Sequence, residues 1–293
     1  MRIALTRNED GSPNFDTREL FAPPGGTMSI ITRAVLREHL KQLFDASAEV
    51  AILHFSGHGT VNNLDGYLVT QDAANCDEGV AMTEVLQMAN QSKAQEVVIF
   101  LDCCFSGKLG NPPVVDNTKT FLREGVSILT GSRGDEPSVE TGGGGVFTTL
   151  VVSALEGGAA DLLGSVTAPA VYAYVEAALG AWDQRPLFKS HVSRVLPLRR
   201  CTPPIELATI RSLPELFPLP AEDLPLTPAH EPESPSPDAS KVSAFRKLQA
   251  LSRVHLVAPV GAAYMYWAAM ESKACRLTPA GRYYWRLAKD GRV

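Results

Sequence analysis

Short apolar runs alternate with amphipathic stretches over the first two hundred residues. Val50–Leu53 and Val97–Leu101 are unbroken, β-branched and too short for helices, so each reads as a buried strand, the first running on to Phe55. Val126–Gly131 reads as a third, Ile3–Thr6 as a short strand ahead of the Asn/Asp/Gly/Pro loop 8–16, and Gly66–Thr70 as a hairpin strand. Between them, Thr32–Phe44 sets Val35, Leu36, Leu40, Leu43 and Phe44 on one helical face. Thr83–Ala89, with Thr83 as N-cap, Val146–Glu156 and Val166–Leu179 read as further helices, while 106–123 and Gly142–Gly145 read as loops. Alternating strands and helices predict an α/β domain over residues 1–200, with a mostly parallel sheet covered on both faces.

The pattern breaks after residue 200. Ten of the 21 prolines fall between 202 and 237, so 201–240 reads as a Pro-rich linker whose Leu-Pro half lies along the preceding domain. Periodicity returns over 241–293, where Phe245, Leu248, Leu251 and Tyr264–Met270 predict a small, mainly helical module. That module carries ten Lys/Arg against Glu271 and Asp290, in a chain whose net charge is −5. Its Leu-Thr-Pro-Ala-Gly-Arg-Tyr-Tyr-Trp-Arg ending resembles a winged-helix module. Tyr283, Tyr284 and Trp285 form either a small core or a stacking surface, and Arg276, Arg282, Arg286, Lys289 and Arg292 either a solvated face or a contact for phosphates. Docking of a partner protein is the first expectation for this module, passive packing with a solvated charged face the second and nucleic acid the third.

Five cysteines, scattered and without CxxC spacing, argue against a disulfide framework and for a reducing compartment. The N-terminal residues show no secretory signal, and no apolar run approaches the ~18 residues of a membrane span. The expectation is a cytoplasmic protein with no membrane partner.

The candidate chemistry sits just past two strand ends, in His54-Phe-Ser-Gly-His-Gly59 and Asp102-Cys-Cys-Phe-Ser-Gly107. Loops at the carboxyl ends of parallel strands open the crevice in which α/β proteins place reactive groups. A thiol attacks as thiolate, and an imidazole is the usual acceptor of its proton near pH 7. His58 and Cys104 thus form a candidate base and nucleophile, with the Gly59 and Cys104 amides as oxyanion donors. His54 reads as a buried or interface histidine. A zinc site of His54, His58, Cys103 and Cys104 is disfavoured, because adjacent cysteines cannot easily aim both sulfurs at one ion.

Ser56-Gly-His-Gly59 and Asp102-Cys-Cys-Phe-Ser-Gly107 resemble the two signatures of the caspase family, in particular its metacaspase and bacterial branch. The separation of His58 from Cys104, 46 residues, suits that family. A third segment, Gly131–Glu140 followed by Gly145-Val-Phe-Thr148, resembles its small-subunit region. The resemblance spans residues 1–198 and implies a caspase-like α/β/α sandwich and cysteine endopeptidase activity. Cys104 is then the nucleophile and His58 the general base. Asp102 is the acid that selects Arg or Lys before the scissile bond, Ser56 a pocket-lining residue and Asp16 a second pocket acid. No cofactor is required. Calcium, which some metacaspases need, has only the scattered acids Asp65, Asp72, Asp77 and Glu78 to meet it. Basic residues in exposed segments (Lys108, Lys119, Arg123, Arg199, Arg200 and, further on, Arg211) are candidate processing sites of a zymogen. The implied role is a regulated effector protease in stress or antiviral defence; the alternative is a non-catalytic caspase-fold regulator acting through its basic module.

Overall fold

A computed structural model describes residues 1–21, 30–62, 65–74, 77–103, 121–131, 140–141, 144–179 and 186–293. The chain forms two compact units, Met1–Thr202 and Pro203–Val293.

The first unit opens with α1 (Arg2–Thr6), not the expected strand. A run this short shows no period; its helix buries Ala4 and Leu5 while Ile3 stays exposed. Next come α2 (Arg33–Asp45), β1 (Val50–Ser56), β2 (Gly59–Val61), β3 (Gly66–Ala74), β4 (Asp77–Ala81) and α3 (Met82–Gln91). Thr32 caps α2, its hydroxyl accepting from the Val35 amide at 3.3 Å. Helix α3 begins one residue before the expected cap. Its N-cap residue, Ala81, has no side-chain acceptor, so Asp65 supplies one from the hairpin, accepting from both the amide (3.2 Å) and the hydroxyl of Thr83.

After β5 (Glu96–Asp102) and β6 (Val126–Thr130), the short pair β7 (Glu140–Thr141) and β8 (Gly144–Gly145) leads into α4 (Val146–Ser153). Then come β9 (Ser165–Val166), α5 (Ala168–Leu179), β10 (Leu187–His191) and β11 (Arg199–Arg200). The main sheet runs β1-β5-β6-β10, parallel except for β10. All seven residues of β5 are buried, as its apolar run Val97–Leu101 requires of a central strand, whereas β1 lies at the sheet edge and buries only Ala51 fully. Alternation divides them: Val97, Ile99, Leu101 and the adjoining Cys103 pack with α2 and α3, while Val98 and Phe100 pack with α4 and α5. The result is the expected three-layer α/β/α arrangement.

The second unit comprises α6 (Leu207–Arg211), α7 (Leu213–Leu216), β12 (Leu224–Pro225), α8 (Ala239–Arg253), β13 (Val257–Val260), α9 (Met265–Met270), β14 (Ala274–Leu277) and α10 (Pro279–Lys289). Its three-stranded sheet runs β12-β14-β13. The Pro-rich stretch is therefore no linker: Leu224 pairs with Cys275, and Ile210, Leu213, Phe217 and Leu226 are buried. Apolar residues between the prolines give it a core to join, and Pro225 sits on an edge strand, where its missing N–H costs nothing. The Trp285 indole N–H donates to the Phe217 carbonyl at 2.7 Å, while Tyr283 is exposed. The Tyr-Tyr-Trp run thus divides between packing and surface.

Candidate active site

Strands β1 and β5 pair in parallel up to Ser56 opposite Asp102, so both motifs leave the sheet at the same level. One further bond ties them together, the Gly57 amide donating to the Asp102 carbonyl at 3.2 Å. His58 is fixed from its other side, its carbonyl accepting from the Val69 amide at 3.0 Å, and Gly59 pairs with Leu68 as β2 begins. The backbone around His58 is thus anchored to both the main sheet and the hairpin, and its side chain is exposed. Ser56 is exposed at the same edge. Cys104, Lys108 and Lys119 lie outside the described residues, as does most of the 131–140 segment.

Asp102 is only 5% exposed. Its carboxylate lies at the start of α4, where Oδ2 accepts from the Thr148 hydroxyl at 2.6 Å and the Thr148 amide at 3.2 Å. That amide is one of the four a helix start leaves unpaired. The N-cap residue is Gly145, which has no side chain to serve it, so a strand residue caps the helix instead. Room for the carboxylate depends on that glycine, since a Cβ on Gly145 would lie 1.8 Å from Oδ2. The other oxygen, Oδ1, accepts no hydrogen bond among the described residues.

His54 joins this group from β1, with Nε2 3.1 Å from the Thr148 hydroxyl oxygen. Burial first, and then the positive charge of the Met1 amino group, push the imidazole down to about 4 against the opposing pull of Asp102. His54 is therefore neutral near pH 7. Motif and spacing alone do not single out Thr148 for chemistry, although it ends the Gly145–Thr148 segment that carries part of the family resemblance. Cys103 faces the α2/α3 core and His54 the opposite side of the sheet, so the two cannot share a zinc ion.

Other expected residues stand apart. Asp16 is exposed, with no hydrogen bond to Ser56, His58 or Asp102 among the described residues. Asp65 caps α3, and Asp72 accepts from the Arg33 amide and the Thr70 hydroxyl, so these acids already serve the fold. Among the described residues no cluster of three His, Cys, Asp or Glu side chains is placed to hold a metal, and no helix is long and apolar enough to cross a membrane.

Arg123 is a structural residue in this state and not an offered cleavage site. Its guanidinium donates to the carbonyls of Ala94 (2.7 Å), Glu124 (2.6 Å) and Ala89 (3.4 Å), closing the end of α3 against the sheet. Arg123→Gln is expected to cost about 1–3 kcal/mol in chemical denaturation and to leave the pattern of processed fragments unchanged. A lost fragment in intact-mass analysis would return it to the cleavage sites. Arg199 and Arg200 are held in β11 against β9, with the Arg200 amide donating to Asn8 Oδ1 at 2.9 Å.

No curated protein matches the chain. Among solved structures, protein GSU0716 from Geobacter sulfurreducens is similar at 16% identity and a TM-score of 0.42, over 56% of this chain and 75% of that one. The family model described as Caspase domain matches residues 21–196, more than half of the 293 residues and inclusive of both motifs. The chain therefore belongs to the caspase-domain family of cysteine peptidases.

Proposed function

We propose that the first unit is a cysteine endopeptidase that cleaves after Arg, and less readily after Lys. The observation that carries this reading is the Ser56–Asp102 register, because His58 and Cys104 each stand two positions beyond that pair in sequence. In this mechanism His58 accepts the Cys104 thiol proton and the thiolate attacks the scissile carbonyl. The Gly59 and Cys104 amides hold the resulting oxyanion. Its collapse breaks the C–N bond, His58 returns the proton to the leaving amine, and water then hydrolyses the thioester with His58 as base. Asp102 is the recognition element, since a carboxylate held at one oxygen by a helix start presents the other to a guanidinium.

The near-complete burial of Asp102 supports a latent chain that gains activity when this end of the sheet opens, through cleavage at Lys108 or Lys119 in preference to Arg123. The family resemblance supports a regulated role in stress or antiviral defence. Cys103, Cys201 and Cys275, none of them in a disulfide, support a cytoplasmic setting. The second unit, winged-helix-like in its ending, would then dock an activating partner through the exposed Arg282, Tyr283, Arg286 and Lys289.

The test is a panel of fluorogenic peptides differing only in the residue before the cleaved bond, assayed before and after limited trypsin treatment. The expected order is Arg, then Lys, with Asp uncut. Asp102→Asn is expected to lower kcat/KM on the Arg peptide by about 10- to 100-fold. Faster cleavage after Asp than after Arg would refute the basic specificity, and no cleavage of any peptide in either state would favour the non-catalytic regulator.

A further inference from the structure

The geometry points to Thr148 and His54 as positioning residues for substrate selection, which aim the Asp102 carboxylate at the incoming basic side chain. This deepens the reading of Asp102 as the specificity acid and rests on it.

Proton accounting fixes the direction of the chain. Thr148 has one hydroxyl proton, and a 2.6 Å contact to a carboxylate oxygen consumes it. Its oxygen can therefore only accept from His54 Nε2, which must carry a hydrogen. A neutral imidazole has a single N–H, so the ring is held as the Nε2–H tautomer, and the order runs His54 to Thr148 to Asp102. The Thr148 amide adds a second donor to the same Oδ2. Two donors on one oxygen fix both the rotation and the tilt of the carboxylate, and so fix where Oδ1 points. Guanidinium recognition depends on that orientation, because the donor fork is planar and rigid. The three groups come from β1, α4 and β5, so the aim of Asp102 is built across the sheet and one covering helix. Asp102 is buried and the two groups that serve it are half-buried, so the donors and acceptors of this chain are costly to leave unpaired and each member holds the next.

The experiment compares otherwise identical peptides ending in Arg or in its uncharged isostere citrulline before the cleaved bond, using the full-length activated enzyme. Wild type is expected to prefer Arg by about 100-fold or more, and Thr148→Val to compress that ratio by about tenfold while Thr148→Ser restores it. His54→Phe, which keeps an aromatic ring but removes the donor, is expected to act in the same direction as Thr148→Val. A role confined to packing would lower both peptides alike and leave the ratio unmoved. In full-length Cys104→Ala chain with 15N-labelled histidine, NMR is expected to show His54 as the Nε2–H tautomer, independently of turnover. A wild-type ratio near one would overturn the Asp102 reading itself. A large wild-type ratio unchanged in Thr148→Val, or a His54 Nδ1–H tautomer, would overturn this inference alone.

Discussion

Cys104→Ala and His58→Ala are each expected to lower kcat/KM on an Arg peptide by about four orders of magnitude or more, and the double variant is expected to fall no further than the worse single one. The non-additivity comes from the chemistry. Without the sulfur there is no thiolate for His58 to generate, and without the imidazole the thiol remains protonated for most of its time near neutral pH. The second loss then has little left to remove. Folding is expected to survive the His58 change, because that side chain is exposed and its segment is anchored by backbone bonds to Asp102 and Val69. Thermal unfolding of His58→Ala within about 0.5 kcal/mol of wild type, together with the kinetic collapse, separates a catalytic role from a structural one. Two single losses that multiplied in the double variant would show that the groups act independently, and the dyad would have to be abandoned.

The strand end that leads to Cys104 is legible because a central strand of a parallel sheet has to be apolar throughout. The one that leads to His58 ends the edge strand β1 and is legible from the shorter apolar run Val50–Leu53. Val50–Phe55 and Val97–Leu101 could hardly be anything else, and the residues directly after each strand are bound to emerge at one edge of the sheet. Features made by distant partners leave no such trace. Thr83 looks like a helix cap in sequence, but the acceptor that serves the helix start comes from Asp65, eighteen residues earlier. The Pro-rich stretch reads as linker because composition records chain stiffness; that Leu213, Phe217 and Leu226 meet the core of the second unit depends on its fold. At the site, His54 reads as a buried or interface histidine and is half-buried, yet the group it meets there, Thr148, stands 94 residues away. The motif residues are visible one by one, while the chain that orients Asp102 is a property of three elements brought together.

That dependence on close approach makes Gly145 a sensitive position of the site outside the dyad. Its backbone angles, φ −65° and ψ 132°, suit any residue, so the constraint is space alone. An added Cβ would lie 1.8 Å from Asp102 Oδ2 and 2.5 Å from its Cγ, far inside contact distance. Gly145→Ala must therefore move either the carboxylate or the first turn of α4, and either movement breaks the Thr148 bonds. The expected cost is about 2–3 kcal/mol in chemical denaturation, with a loss of Arg-over-citrulline preference comparable to that of Thr148→Val. Asp102→Ala alone should cost about 1 kcal/mol, as the loss of a helix cap. Combined with Gly145→Ala it removes the clash, so the double variant should be more stable than Gly145→Ala despite carrying one more substitution, and should still lack the preference for Arg. Costs that simply added, within about 0.5 kcal/mol, would mean that the Gly145 side of the carboxylate is open, and that α4 does not hold Asp102 in the way its recognition role requires.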